Sequence, residues 1–332
     1  MKVRQRPRLY AVVAIVCAVV VALGGCGGAD VNDLTLSQKP TRSNTATTAA
    51  PSTTPVLATG CDPNDPTPSL RPLDALPKPG NMPAGSLMAE IQNRGELVAG
   101  VDQNTLLFGF RDPKTGEIVG FDIDVLKTIA KTIFGEDGHL RLKAIKYSER
   151  VPEVVAGVNA GGVDIVADTM TINCARWAKV AFSTQYYDAG QKLLVRTDST
   201  AKSIKDMSGK RVCAAAGSTS VDNIRTANPA AKVVEVVDQT DCLIQFQQGT
   251  VDAISTDDTI LLGLARQDPY AKLLPDRFTA EPYGLAMPLD RPEFTRFVNG
   301  VLEAMRHDNT WATISQRWLG TPTEPPPAKY RD

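Results

Sequence analysis

From Leu97 onward the chain alternates short apolar runs with segments of helical period, and this alternation restricts its possible folds more than any other feature. Leu97-Val98-Ala99-Gly100-Val101 reads as a strand. Phe108 to Phe110 and Ile118 to Phe121 flank Asp112-Pro113-Lys114-Thr115-Gly116, where proline presets φ and glycine tolerates the reversal. A helix follows with Asp122 as its expected cap. Val125, Leu126, Ile129, Ala130 and Ile133 recur at helical spacing, and Gly135 ends it. Val163 to Ala167 is the next strand. The pattern then repeats: strand Arg211 to Ala215, a helix from Thr219, strand Val233 to Val237, a helix from Cys242 to Gln248, strand Ala253 to Ser255. Such alternation predicts an α/β fold with mostly parallel sheets. The strands are too many for one small sheet, so two lobes are expected.

The N-terminus has a different character. Lys2, Arg4, Arg6 and Arg8 precede an apolar run from Leu9 to Leu23. That run is short for a membrane span and has the length of a signal-peptide core. It ends in Leu23-Gly24-Gly25-Cys26, which resembles the bacterial lipobox. The resemblance implies cleavage after residue 25, with Cys26 as the mature first residue carrying lipid on sulfur. More than one acyl chain is needed for stable anchoring, and lipoprotein-type modification supplies it. From Cys26 to about Pro83 threonine, serine, proline and alanine dominate. A stretch of that kind buries too little apolar surface to order itself, and it reads as a disordered spacer between membrane and body. The tail 321–332, with Pro325-Pro326-Pro327, is expected to be irregular.

Export also organises the cysteines. Cys61, Cys174, Cys213 and Cys242 remain after the leader, an even set suited to an oxidising compartment. Three pairings are possible. Cys213 with Cys242 is favoured, because the strand of one and the helix of the next unit can lie side by side; Cys61 with Cys174 would then staple the N-terminal tail to the body. Zinc is not expected, since the spacings are not CxxC and only two histidines occur, His139 and His307. The formal net charge of −1 gives no long-range pull toward nucleic acid. No G-x-S-x-G elbow and no G-x-G-x-x-G after a strand is present, so an enzyme is not expected.

Several segments, taken in order, resemble the periplasmic amino-acid-binding proteins, solute-binding protein family 3. They are Gly120-Phe121-Asp122-Ile123-Asp124-Val125; Thr169-Met170-Thr171-Ile172-Asn173-Cys174-Ala175-Arg176; Ala181-Phe182-Ser183; Gly209 to Val212 leading to Gly217-Ser218-Thr219-Ser220; and Val251 to Asp258. The Asp-Asp-Thr-Ile-Leu run at 257–261 is most like actinobacterial glutamine- and glutamate-binding lipoproteins. The likeness spans roughly Ser86 to Leu319. It implies a type II two-lobed fold, with the first lobe in 84–187 and 284–320, the second in 188–283, and hinge crossings near Tyr186 to Leu194 and Pro282 to Pro288. It implies a monomer without cofactor that closes on a small amino acid and hands it to an ABC permease. Presentation to a membrane sensor is the alternative output.

A free amino acid carries a carboxylate and an ammonium on one carbon. By the resemblance, Arg176 takes the α-carboxylate with its planar fork. Thr171 adds a hydroxyl and a backbone N–H, and Ser218 and Thr219 add the unpaired N–H groups of a helix start. Asp257 takes the α-ammonium, helped by the Thr169 carbonyl, with Asp258 as competitor or helix cap. The two signals for the ligand's side chain conflict. Arg150 aligns with an arginine that meets a distal carboxylate, whereas Asp102 looks like the glutamine-binding branch, where a carboxylate accepts from an amide. Gln239 is a weaker contact, and Phe108 supplies an apolar wall unless it packs in the core.

Overall fold

The structure is a computed structural model, and it describes residues 60–332. Cys26 and the leader lie outside the described residues. Leu97–Val101 runs between two parallel neighbours, Leu140–Ala144 and Ile165–Ala167. All five of its residues are buried. A strand covered on both faces needs apolar residues throughout rather than alternation, which is what this run supplies. Two short antiparallel strands, Ala286–Met287 and Ala181–Phe182, complete this first sheet.

The second sheet has the order Lys232–Val236, Arg211–Ala215, Ala253–Asp257, Gln191–Arg196, Ala271–Leu273. Its first three strands are parallel and the last two antiparallel to their neighbours. Between the sheets the chain crosses twice, and the crossings, Tyr187–Ala189 and Glu281–Tyr283, pair antiparallel. The chain is therefore an α/β protein of two lobes with the strands of the hinge side by side. The helix Pro292–His307 returns to the first lobe and buries Phe294, Phe297, Val298, Val301, Leu302 and Met305. Those positions form one stripe at helical spacing, and Pro292 in the first turn is where a missing N–H costs nothing. No helix among the described residues is long and apolar enough to cross a membrane.

Two disulfides are formed, Cys213–Cys242 and Cys61–Cys174, each with Cα atoms 5.6 Å apart. The second has a consequence that composition did not reveal. Residues 60–83, assigned above to the spacer, lie against the body: Ser69, Leu70 and Met82 are buried. The Ser69 hydroxyl donates to the Phe182 carbonyl at 2.7 Å, and the Trp177 indole N–H donates to the Pro66 carbonyl at 2.9 Å. The C-terminal tail is irregular but also packed. Ser69 and Tyr330 form an isolated bridge, and the Arg331 guanidinium lies 4.0 Å from the Trp177 ring centroid. The spacer reading fails over these residues because a disulfide and a few buried anchors order a polar segment without a continuous apolar run.

Asp122 is a second correction. The helix Phe121–Phe134 has Gly120 at its N-cap position, and no side chain caps it. Gly120 has φ of 144°, and a Cβ there would lie 2.0 Å from the Phe108 carbonyl oxygen. Asp122 instead points inward, accepting from the Thr169 backbone N–H at 3.0 Å and the Tyr186 hydroxyl at 2.7 Å.

Candidate functional site

The carboxyl end of strand Ile165–Ala167 delivers Asp168, Thr169 and Thr171 to the gap between the lobes, where open α/β sheets place their ligands. The one-turn helix Cys174–Trp177 then presents Arg176. Asn173 caps this turn, accepting from the Arg176 backbone N–H at 2.9 Å. Arg176 Nη1 donates to the Thr171 carbonyl at 2.6 Å, and Nη2 reaches the Gly217 carbonyl of the second lobe at 3.5 Å. Arg150 reaches the same carbonyl at 3.4 Å. Burial, with the Arg150 charge beside it, pulls the Arg176 pKa down to about 9. Such a guanidinium gains most from an anion brought alongside. The meeting of the lobes is tight here. Gly217 has φ of +79°, and a Cβ on it would lie 2.7 Å from the Ser148 Cα of the first lobe, so only glycine suits the position.

From the second lobe, strand Ala253–Asp257 ends in Asp257, which is 4% exposed. Its Oδ2 accepts from the Tyr283 hydroxyl at 2.7 Å, while its Oδ1 has no partner among the described residues. Burial and then the Glu281 charge raise its pKa well above the ordinary value. Its charge is felt at Arg176 across the gap. Asp258 is otherwise engaged: Arg277 Nε donates to it at 2.7 Å, and it accepts from the Thr259 backbone N–H at 3.0 Å. Of the adjacent aspartates, it is Asp257 that offers a buried, unpartnered oxygen.

The Thr171 hydroxyl expected on a ligand carboxylate has a protein partner, which it shares with the Thr219 hydroxyl. Thr171 and Thr219 both donate to Glu281 Oε2, each at 2.7 Å. Asn223 Nδ2 and the Thr279 hydroxyl donate to Oε1, also at 2.7 Å each. Glu281 lies on the second hinge strand, so it gathers donors from both lobes. Sequence reasoning missed it; a lone glutamate in Ala280-Glu281-Pro282 carries no signal by itself. The Ser218 hydroxyl and its backbone N–H both turn back to the Ala215 carbonyl, at 2.6 and 3.3 Å, so Ser218 does not supply the unpaired N–H expected of it.

Among the proposed side-chain contacts, Arg150 is buried and held by carbonyls: Nε donates to Tyr147 and Nη1 to Asp168, both at 3.0 Å. It also lies over the Tyr147 ring, 4.6 Å from the centroid. Asp102 accepts from the backbone N–H groups of Gln103 and Asn104 at 2.6 and 2.9 Å, from the Tyr147 hydroxyl at 3.2 Å, and from the Thr105 hydroxyl. Both of its oxygens are taken, so it organises its own loop. Burial, then the Asp238 charge, raises its pKa. Gln239 donates to the Thr256 hydroxyl at 3.0 Å with its Oε1 unpartnered among the described residues. Phe108 is fully buried, in an aromatic cluster with Phe121, Tyr187 and Tyr283 beneath the hinge. It is part of the core.

Two features of the strand end were not foreseen. Thr169 has φ of +40°, a region a β-branched residue rarely enters, and its backbone N–H is pinned by Asp122. Next to it, Asp168 is 1% exposed, and neither carboxylate oxygen has a partner among the described residues. An aspartate directly after a buried strand and before the Thr-x-x-x-x-Arg-like run was the available signal. Together the gap holds a cation with a planar fork on one lobe and a free carboxylate oxygen on the other.

The chain is 36% identical over 233 residues to the ABC transporter glutamine-binding protein GlnH of Bacillus subtilis, covering 70% of this chain and 84% of that protein. It is 40% identical over 199 residues to a glutamine-binding protein of Geobacillus stearothermophilus, covering 60% and 74%. Among solved structures, an ancestral arginine-binding protein bound to glutamine superposes with a TM-score of 0.63 at 32% identity, covering 68% of this chain and 99% of that one. These relatives are solute-binding proteins rather than enzymes. Residues 97–321 match the model for bacterial extracellular solute-binding proteins, family 3, and the chain belongs to that family.

Proposed function

We propose that this protein is a lipid-anchored, extracytoplasmic receptor that closes on a small polar α-amino acid of the glutamate, aspartate, glutamine and asparagine class and delivers it to an ABC importer. The observation that carries the reading is the pairing across the gap: Arg176 from the first lobe, and Asp257 with a buried, unpartnered oxygen from the second. A zwitterion bridges the two. Its carboxylate answers the guanidinium and its ammonium answers Asp257, so the ligand itself completes the interface between lobes, and hinge closure follows from binding. The relatives named as glutamine-binding support the ligand class, and the ABC transporter in one of those names supports the delivery. The lipobox-like run supports an anchor at Cys26, which leaves the segment up to Cys61 as the tether.

A thermal-shift series over the common amino acids tests the reading. A ligand at 100 times its dissociation constant adds about 2.7 kcal/mol. One or more of the four named amino acids raises the melting temperature; if none of them does so, the reading fails. Retention in the membrane fraction, lost on Cys26→Ala, tests the anchor separately.

A further inference from the structure

We infer that Asp168 reads the far end of the ligand's side chain and requires an N–H donor there, an amide or a cationic group rather than a carboxylate. The inference rests on the amino-acid reading above and names the ligand class that it left open.

Four observations lead to it. Asp168 stands at the carboxyl end of the strand that also delivers Thr169 and Thr171, so it lies at the site. It is 1% exposed with both oxygens unpartnered among the described residues, and a buried carboxylate in that condition is costly unless something donates to it. Its neighbours do not supply the donors. Arg150, the cation that it feels most, spends Nη1 on the Asp168 backbone carbonyl and Nε on Tyr147. Arg176, a second cation coupled to it, spends Nη1 on the Thr171 carbonyl and Nη2 on the Gly217 carbonyl, and the carboxylates of Asp102, Asp122 and Asp238 also act on it.

Each of those carboxylates is already served. Asp102 has its four donors, Asp122 has Thr169 and Tyr186, and Asp238 accepts from the Asn104 amide at 2.6 Å and from Thr240. Asp168 is the carboxylate left over. The unpartnered atom of Gln239, the residue after Asp238, is likewise a carbonyl oxygen, so the unmet groups here call for donors. A ligand ending in an amide or a cation brings them. A ligand ending in a carboxylate would set like charges together in a buried place, which raises the pKa of one of them and weakens binding. Burial and these surrounding carboxylates raise the Asp168 pKa well above the ordinary value, in keeping with a group that lacks donors of its own.

Titration calorimetry on the full-length protein in detergent tests this with two nearly isosteric pairs, glutamine against glutamate and asparagine against aspartate. The wild-type protein is expected to bind the amide of the preferred pair at least tenfold tighter than the acid. Asp168→Asn, which exchanges one acceptor for a donor, is expected to shrink that ratio at least tenfold, chiefly by strengthening the acid. A wild-type protein that binds the acid as tightly as the amide overturns the inference without recourse to any variant. An unchanged ratio in a folded Asp168→Asn protein also overturns it while leaving the amino-acid reading intact. No heat with any amino acid sinks that reading, and this inference with it.

Discussion

The Tyr283 hydroxyl donates to Asp257 Oδ2 at 2.7 Å, which joins the second hinge strand to the residue that would hold a ligand's ammonium. The same hydroxyl lies 2.9 Å from Thr259 Oγ1, so the phenol is fixed at both sides. The hinge thereby orients the carboxylate while its Oδ1 stays available. Tyr283→Phe keeps the ring packing against Phe108 and Tyr187 and removes only this bond. A net hydrogen bond is worth about 1 kcal/mol. Affinity for the ligand is expected to fall several-fold by calorimetry, with the circular dichroism spectrum unchanged; full affinity in the variant would show that the hinge does not position Asp257.

Glu281 joins the lobes in a different way. Four donors from Thr171, Thr219, Asn223 and Thr279 converge on its two oxygens. Glu281→Gln turns one acceptor into an NH2 group facing donors, at a cost of about 1–3 kcal/mol. The variant is expected to show a larger radius of gyration in X-ray scattering without ligand, and a dissociation constant raised about tenfold or more. Unchanged scattering and affinity would remove its role in closure.

The buried carboxyls give stability an inverted pH dependence. Asp122 has its pKa raised by burial from 3.8 to about 6. Between those values the native state holds a proton that the unfolded chain has released, so stability rises as pH falls through about 6 and the gain is complete near 3.8. Asp102, Asp168 and Asp257 are raised as well and act in the same sense. Asp122→Asn mimics the protonated acid and should flatten this part of the profile. Melting temperatures of both proteins from pH 7 downward check it; parallel curves would contradict the account.

The two disulfides should separate stability from binding. Cys174 opens the turn that carries Arg176, and its partner Cys61 lies in the packed segment 60–83. Cys213–Cys242 ties a strand to a helix within the second lobe. Each removal, by paired Cys→Ser substitution, costs about 2–4 kcal/mol. Both are expected to lower the melting temperature, but only loss of Cys61–Cys174 should also weaken ligand affinity, because it releases the Arg176 turn. Equal affinity in the two double variants would contradict this coupling.

The α/β architecture was legible because fully buried strands such as Leu97–Val101 and striped helices such as Phe121–Phe134 write their burial into their composition. A motif resemblance singled out Arg176 and Asp257, and the structure places one on each lobe with the charge of Asp257 felt at Arg176. What local sequence does not carry is who else competes for a hydrogen bond. Thr171 and Thr219 turn out to serve Glu281, which is distant in sequence from both; Asp102 is saturated by its own loop; Phe108 belongs to the core. The order of residues 60–83 was hidden for a similar reason, since a cross-link to position 174 outweighs the polar composition around it.

The most direct test is calorimetry with the preferred amino acid on the wild-type protein and on Arg176→Ala, repeated with ligand analogues that lack either the α-amino or the α-carboxyl group. The account predicts that Arg176→Ala abolishes binding of every amino acid. It also predicts that the wild-type protein rejects both analogues, because each leaves one buried charge of the Arg176–Asp257 pair unanswered. Tight binding of either analogue, or undiminished binding by Arg176→Ala, would contradict it.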